Sequence, residues 1–450
     1  MSRTCLTVIL AAGEGKRMAS ATPKVLHKVA GLPMVNHVIN TARLAGATKT
    51  AVVVGAGGDM VREAVERAGA DISTHEQRER LGTAHAVLAA REAIAEGFDD
   101  VLVLYGDVPL IQVETVQKAR DGLASGADLL VLGFRTNDSH GYGRLLEENG
   151  ELVAIREHKD ATEEERTVDY CNSGIIAMRG DRCLEVLDAI GNDNAQKEFY
   201  LTDSVEVSRA KSMRCFAVEV PEEETLGVND RSQLSEVETI WQSRKRHAMM
   251  LGGVALAAPE TVYFSHDTAI GRDVTVEPNV WFGPNVEIAD NVEIRAFSHL
   301  EGVKIASGAY VGPFARLRPG TELAEKSKVG NFCEVKATKV GEGAKINHLA
   351  YVGDATVGEK ANVGAGTITC NYDGFAKHKT NIGPGAFIGS NTALVAPVSV
   401  GENANTAAGS VIHQDIEADA LGIARAHQVN KPGLAKRLRE KFRKLKEQRG

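Results

Sequence analysis

The sequence predicts two folds in tandem, an α/β unit built on a mostly parallel sheet and then a β-solenoid. Three observations predict it. Apolar runs of strand length alternate with helical patterns through the first half of the 450 residues. After Thr261 an aliphatic or aromatic side chain recurs every six positions, a period that is neither helical nor simple strand. Glycine is high at 45 residues against 12 prolines, and aromatics are only 5%, which points to tight, repeated backbone turns.

Taken in order, Leu6–Leu10 is an apolar run ending in a glycine-rich turn. Met34–Leu44 reads as a helix, with apolar residues at 34, 35, 38, 39, 42 and 44. Thr50–Val54 is a second strand, Leu81–Glu96 a long helical stretch, Asp100–Leu104 a third strand and Leu129–Phe134 a fourth. Alternation at this spacing places helices on both faces of the sheet. In such sheets ligands sit at the carboxyl ends of the strands, where the motifs after Leu10 and Leu104 fall. Asp230–Leu251 reads as a helical connector, with Leu234, Val237, Ile240 and Trp241 on one side, then Arg244, Lys245 and Arg246. The domains expected are therefore 1–229, a linker over 230–251, and 252–450.

The six-residue period runs through Ile270, Val276, Phe282, Ile288, Ile294 and Leu300. It slips by one and resumes at Ile305, Val311, Leu317, Leu323, Val329 and Val335, then slips again through Val340, Ile346, Val352, Val357 and Val363. It returns at Ile382, Ile388, Leu394, Val400, Thr406 and Ile412. Glycine often follows the aliphatic residue, as at Gly271, Gly341 and Gly358, and is expected to relieve crowding at each corner. One short strand per hexapeptide, with the aliphatic side chain pointing into the coil, is a β-solenoid. Asn371–Asn381 interrupts the period, and such an insertion emerges as a loop suited to binding.

Composition excludes other classes. At roughly 100–200 residues per domain the length allows two to four domains. A chain with 43% hydrophobic and 25% charged residues is globular rather than disordered. Val101–Tyr105 and Leu129–Phe134 are far short of the ~20 residues of a membrane span. Met1–Gly15 shows no secretion signal. Six cysteines without a CxxC pair fit reduced thiols in a cytoplasmic protein. A net charge of −8 argues against nucleic acid as a partner. The exception is Lys431–Gly450, with nine Lys/Arg against two Glu, read as a solvated terminal helix or tail.

Three motifs carry chemistry. Leu10-Ala11-Ala12-Gly13-Glu14-Gly15-Lys16-Arg17-Met18, followed by Pro23-Lys24-Val25-Leu26, is a glycine turn whose N–H groups suit a phosphate. A glycine turn alone is weak evidence, and Arg17 with Pro23-Lys24 strengthens it. Neither GxxxxGK[ST] nor GxGxxG is present. Tyr105-Gly106-Asp107 ends a buried strand, and a carboxylate there is either a turn residue or a ligand for a hard cation such as Mg²⁺. His348, two residues past the inward Ile346, faces outward, where it is either a solvated histidine or a general base.

On these motifs Leu10–Leu26 resembles sugar-phosphate nucleotidyltransferases, and the hexapeptide half resembles left-handed β-helix acyltransferases. Both halves in this order resemble the family of bifunctional bacterial N-acetylglucosamine-1-phosphate uridyltransferases and glucosamine-1-phosphate N-acetyltransferases. Further agreement lies in Gln77, Leu81-Gly82-Thr83, Gly141-Tyr142-Gly143-Arg144, Glu157-His158-Lys159-Asp160, Asn172-Ser173-Gly174 and Gly227-Val228-Asn229. In the second half it lies in Pro313 to Gly320, Gly330-Asn331-Phe332 and, most specifically, Gly364 to Gly374.

The resemblance implies a Rossmann-like nucleotidyltransferase domain followed by a left-handed parallel β-helix. It implies that Leu10, Ala11, Ala12 and Gly13 hold the uridine nucleotide, with Lys24 and Arg17 on its phosphates and Tyr105 and Gly106 beside it. Gln77, Gly82 and Thr83 would read uracil, and Gly143, Glu157 and Asn172 would hold the amino sugar. Asp107 and Asn229 would coordinate Mg²⁺. Two departures are Lys16 and Ser173, each where the family pattern leads one to expect Thr. The implied chemistry is in-line attack of N-acetylglucosamine-1-phosphate on the α-phosphorus of UTP, releasing pyrophosphate.

For acetyl transfer from acetyl-CoA, the resemblance makes His348 the base. Arg318, Lys336, Tyr351 and Asn362 would bind the sugar phosphate, and Asn371 and Tyr372 would lie near the acetyl group. Ala365, Ser390, Ala408 and Arg425 would contact acetyl-CoA. The oxyanion donor is either a backbone N–H or Asn371. The family is trimeric and supplies a precursor of bacterial envelope polymers, peptidoglycan and lipopolysaccharide among them. Two other readings are a one-reaction nucleotidyltransferase with a scaffold β-helix, and a non-enzymatic assembly module. A zinc site from His299, His348 and His413 is a third, against which stands the lack of a matched pair on adjacent turns.

Overall fold

The computed structural model describes residues 3–449. The chain divides into two compact units, Met1–Ala248 with Phe264–His266, and Met249–Tyr263 with Asp267–Gly450.

In the first unit Cys5–Ala11 lies between Asp100–Tyr105 and Lys49–Gly55, both parallel to it. Ile72–Gln77 continues the parallel order beyond Lys49–Gly55. On the other side Tyr170–Arg179 runs antiparallel between Asp100–Tyr105 and Leu129–Arg135. Cys215–Glu219 then closes that edge, parallel to Leu129–Arg135. The expected parallel sheet is therefore interrupted by one antiparallel strand. Its apolar pattern is broken by Asn172-Ser173-Gly174, where the pairing shifts register between Asn172 and Ile176. A polar hairpin, Arg144–Glu148 with Glu151–Arg156, attaches through Arg144 and Cys171.

Alternation along one central strand builds two cores. Leu6, Val8 and Leu10 pack on one face, with Ala84, Val87 and Ile94. Cys5, Ile9 and Ala11 pack on the other, with Val35, Val38 and Ile39. Each large aliphatic side chain so buried contributes about 1.5–3 kcal/mol. The helix expected over Leu81–Glu96 is instead two short ones, Thr83–Leu88 and Arg91–Ala95. Gly82, at φ +120°, cannot be helical, and Ala90 bonds three residues back to Val87, which tightens the chain between the helices. The helix Arg231–Leu251 does more than connect. Val237 packs with Met18, Met34, Leu110 and Val228. The buried Gln242 amide exchanges two hydrogen bonds with the Phe264 backbone, at 2.7 and 2.9 Å.

The second unit is a β-helix of parallel ladders. Residues pair with the coil eighteen or seventeen positions along, as Thr275 with Glu293 and Glu293 with Tyr310. Three hexapeptides make a coil, and each one-residue slip in the sequence period shortens a coil by one. The insertion lengthens one coil, since Asn362 pairs with Phe387. Some of the glycines that follow an aliphatic residue, Gly341 and Gly358 among them, act differently from the expected corner role. A Cβ on Gly341 would lie 2.6 Å from the Glu359 nitrogen, and one on Gly358 would lie 2.3 Å from the Pro384 nitrogen. They relieve crowding between successive coils. Left-handed corners fall to other glycines, such as Gly308, Gly343 and Gly385, and to residues such as Asn279, Asn285, Asn291, Phe297, Phe314 and Phe332. Asparagine tolerates that conformation. The phenylalanine rings stack at 4.9 and 5.0 Å, which helps to offset their strain.

The basic segment forms the helix Leu434–Glu447, with no buried residue. Among the described residues no helix is long and apolar enough to cross a membrane. All six cysteines are free thiols, and five are buried.

Candidate active sites

In the first unit a cleft of about 320 Å³ opens at the carboxyl ends of the central strands. Leu10, Ala11, Ala12, Gly13, Lys24, Gln77, Gly82, Thr83, Tyr105 and Asp107 all line it. The chain turns sharply after Ala11, and at Gly15 (φ +63°) a Cβ would fall 2.6 Å from the Lys24 Cβ. The Gly106 N–H donates to the Leu10 carbonyl at 2.9 Å and ties the two strand ends together.

Lys24 Nζ donates to Asp107 Oδ2 and, at 3.2 Å, to Asn229 Oδ1. Both side chains of the ion pair are largely buried, at 12% and 17% exposure. Two oxygens from distant parts of the chain thus converge on one cation. A carboxylate that lines this cleft, beside an amide oxygen, is a donor set that fits Mg²⁺. Among the described residues no group of three His, Cys, Asp or Glu is arranged for a metal, so phosphate oxygens or water would complete its shell.

The buried Gln77 amide donates to the Gly82 carbonyl at 3.3 Å. A Cβ on Gly82 would stand 2.4 Å from the Phe199 carbonyl oxygen. The neighbouring backbone pairs tightly there: Phe199 N–H donates to Leu81 O at 2.7 Å and Ala84 N–H to Phe199 O at 2.9 Å. Thr83 Oγ1 accepts from the Leu201 N–H at 2.9 Å.

Gly143, Glu157 and Asn172, expected to hold the amino sugar, do not line this cleft, and Asn172 is linked to it only through Gly174 and Tyr105. The Asn172 N–H donates to Gly143 O at 2.8 Å, and Asn172 Oδ1 accepts from the Gly174 N–H at 2.9 Å. Gly174 packs on Tyr105, where a Cβ would be 2.8 Å from Cε2. Burial, with the charges of Asp107 and Glu157, pushes the Tyr105 phenol up. Glu157 accepts from Thr202 Oγ1 at 3.3 Å and is raised by burial. It lines a separate acidic recess with Asp160, Asp193, Asp203 and Glu206. Ser173 Oγ donates to Leu132 O at 2.6 Å, so this hydroxyl serves the strand bulge.

Arg17 is not brought to the cleft; it is exposed and outside its lining. Lys16 pairs with Glu14 at 2.6 Å, and Glu14 also pairs with Arg80. Arg80 and Glu198 line the cleft and were not anticipated. Only the position of Arg80 between Gln77 and Gly82 signals it, and nothing local signals Glu198.

In the second unit the predicted residues stand in columns. Asn331 pairs in register with His348, and the Gly366 N–H donates to His348 O at 3.3 Å. Continuing, the Asn391 N–H donates to Ala365 O at 2.7 Å and the Gly409 N–H to Ser390 O at 2.8 Å. Arg425 Nη1 donates to Ala408 O at 2.8 Å. His348, Ala365, Ser390, Ala408 and Arg425 therefore share one edge of the solenoid. His348 is exposed, and its Nδ1 lies 2.6 Å from Asn331 Oδ1.

A second column holds Arg318, Lys336, Tyr351 and Asn371. Arg318 Nη1 donates to Glu334 Oε1 at 2.8 Å. Lys336 is in register with Gly353 and 3.9 Å from Asp354. Buried Asn371 donates through Nδ2 to Asp354 Oδ2 at 2.5 Å and to Tyr351 Oη at 3.3 Å. Gly353 makes room, since its Cβ would lie 2.5 Å from Tyr351 Oη. Tyr372, in the inserted loop, bonds the Gly374 carbonyl at 2.5 Å under the Lys377 ammonium. Asn362 is not brought to this group. It sits on the other ladder, between Lys345 and Phe387. His299 is in register with Trp281 and Arg316, away from the ladder of His348. A larger recess of about 990 Å³ follows the corners from Gly271 to Gly358 and contains none of the predicted site residues.

Comparison with known proteins covers both units. Residues 7–199 match the MobA-like NTP transferase domain family, and residues 379–414 match the bacterial transferase hexapeptide family. The chain is 56% identical over 447 residues to the bifunctional protein GlmU of Agrobacterium fabrum, covering 99% of each. It is 58% identical over 450 residues to that of Brucella anthropi, covering 99% of this chain and 98% of the relative. To that of Bartonella quintana it is 52% identical over 437 residues, covering 97% and 98%.

Proposed function

The chain belongs to the family of bifunctional GlmU proteins, and from that membership we infer that it makes UDP-N-acetylglucosamine by two reactions in two places. One is acetyl transfer from acetyl-CoA to glucosamine-1-phosphate. The other is uridylyl transfer from UTP to the N-acetylglucosamine-1-phosphate so formed, with release of pyrophosphate. The observation that carries this reading is one chain holding both the Lys24–Asp107–Asn229 cluster and the His348 column. A scaffold β-helix has no use for the second.

For uridylyl transfer, within a domain spanning 1–229 and followed by the connector 230–251, Leu10 to Gly13 cradle the nucleotide through backbone groups. Gln77, Gly82 and Thr83 face the base, and Gly143, Glu157 and Asn172 hold the amino sugar. Lys24 leaves Asp107 for the incoming phosphates, whereas Arg17, outside the cleft lining, would add its charge only if the turn Lys16–Met18 moves inward. Asp107 and Asn229 would hold Mg²⁺, which when bound neutralises phosphate charge.

For acetyl transfer, within 252–450, Arg318 and Lys336 anchor the sugar phosphate, with Tyr351 and Asn362 beside them. His348 takes a proton from the acceptor ammonium; the amine nitrogen attacks the thioester carbonyl, the C–S bond breaks, and the second proton lost by that nitrogen passes to the departing thiolate. Asn371 or a backbone N–H donates to the oxyanion, and Tyr372 lies near the acetyl group. The column from Ala365 to Arg425 runs alongside as the acetyl-CoA path. We infer a cytoplasmic homotrimer from the family, and the place of Asn362 on the ladder away from the other anchors supports acetyl sites shared between subunits. The half-exposed Phe297–Phe314–Phe332 stack supports it too, as an edge suited to a partner.

The test is mass spectrometry of purified protein given glucosamine-1-phosphate, acetyl-CoA, UTP and Mg²⁺. UDP-N-acetylglucosamine with free CoA and pyrophosphate is the expected result. Pyrophosphate only when N-acetylglucosamine-1-phosphate is supplied, with no CoA released, would favour the scaffold reading.

A further inference from the structure

We propose that Asn331 is the positioning residue for His348, holding its ring so that Nε2 faces the acceptor amine with its lone pair free. The inference rests on His348 being the acetyl-transfer base. The Asn331 amide oxygen stands 2.6 Å from His348 Nδ1. An amide oxygen only accepts, so Nδ1 carries the hydrogen and Nε2 is the basic nitrogen.

The placement is built in by the coil. Asn331 and His348 are register partners on adjacent parallel strands, and the Leu349 N–H donates to Asn331 O at 3.0 Å. Both side chains therefore leave one edge, a coil apart. An exposed imidazole otherwise turns broadly about its second torsion, and this bond selects one orientation.

The choice of an amide has a chemical consequence. A carboxylate here would fix the same tautomer but would also stabilise the imidazolium and retain the proton. The neutral amide orients the ring without that attraction. Nearby charges are engaged elsewhere: Glu334 with Arg318, Asp354 with Lys336 and Asn371, and Lys328 over the Tyr310 ring at 4.4 Å. Lys345 shares the ladder, three residues before His348. Among the described residues no carboxylate is recorded in contact with His348.

The experiment compares the full-length wild type with N331A, N331D, H348A and the N331A/H348A double variant. CoA release gives acetyl-transfer kcat, KM and the pH profile of kcat/KM, and uridylyl transfer is measured on the same preparations. N331A is expected to lower acetyl-transfer kcat about 10–100-fold, part of what a positioned base supplies. KM and uridylyl transfer should stay near wild type, and the double variant should be no slower than H348A. N331D keeps the shape and adds charge, so the acid limb of its profile should move up by about one pH unit. Wild-type kcat in N331A, or an unmoved acid limb in N331D, overturns the inference. If N331A fails to fold, the limb of N331D decides alone. Full acetyl transfer by H348A would overturn instead the assignment of the base.

Discussion

The two sites are assembled by opposite means. In the nucleotide cleft, Lys24 meets Asp107 from 83 positions away and Asn229 from 205. Strand ends, a proline turn and a sheet of mixed direction gather them. In the β-helix, His348 meets Asn331 from 17 positions away, and each further member of the column is one coil on. The first arrangement depends on the whole unit being folded; the second is local arithmetic repeated. Damage to the first should therefore be cooperative, and damage to the second should stay within one or two coils.

The largest expected effects break the comparison at its ends. Asp107→Ala should lower uridylyl transfer on the order of 10³-fold and leave acetyl transfer near normal. His348→Ala should do the reverse, by about 10²–10⁴-fold. Separate assays on one preparation decide it, and loss of both activities in a folded variant would refute two independent sites. Next, Gly82→Ala forces a Cβ to 2.4 Å from the Phe199 carbonyl at φ +120°. A local cost of about 2–4 kcal/mol should show as a lower first thermal transition and weakened uridylyl transfer, with acetyl transfer intact.

Gly353→Ala sharpens the contrast from the other side. Its Cβ would meet Tyr351 Oη at 2.5 Å and Asn371 Nδ2 at 2.8 Å, both ends of side chains that are able to shift. The KM for glucosamine-1-phosphate should rise about tenfold, equal to ~1.4 kcal/mol, with uridylyl transfer unchanged. The smallest effect concerns pH. Burial raises the Asp203 carboxyl to about 6, with Glu206 and Glu157 adding to it. A carboxyl raised on folding destabilises the native state once ionised, so its cost is present above pH 6 and fades as pH falls towards 4. Asp203→Asn should therefore raise the melting temperature at pH 8 and not at pH 4. Partial exposure keeps the difference under about 1 kcal/mol.

The same contrast explains what could be read in advance. Leu6–Leu10 was legible because both its faces are buried, leaving one unbroken apolar run. The hexapeptide ladder was legible because each inward position repeats. Tyr170–Arg179 was not, because Asn172-Ser173-Gly174 bulges in mid-strand and hides the pattern. Arg80 and Glu198 enter the cleft through tertiary folding that no local spacing encodes. Asn331 was within reach, since counting one coil back from His348 finds it. Arg17 went the other way: its place in the glycine motif suggested a cleft residue, yet the turn Lys16–Met18 buries Met18 and leaves Arg17 outside.

The inserted loop has a consequence for how this enzyme is able to change. The chain leaves the ladder after Cys370 and rejoins it at Thr380, which pairs with Ala355 as if nothing intervened. Inside the excursion, Tyr372 and Lys377 bridge each other, and His378 bonds Asp373 at 2.6 Å, so the loop closes on itself. The tip of the loop is thus closed on itself, while Asn371 at its base stays tied to the coil through Asp354 and Tyr351. Beyond Tyr372, length and composition of the loop can drift, or be engineered, without moving the register of any coil, and new acceptor preferences can be tried there at little risk to the fold.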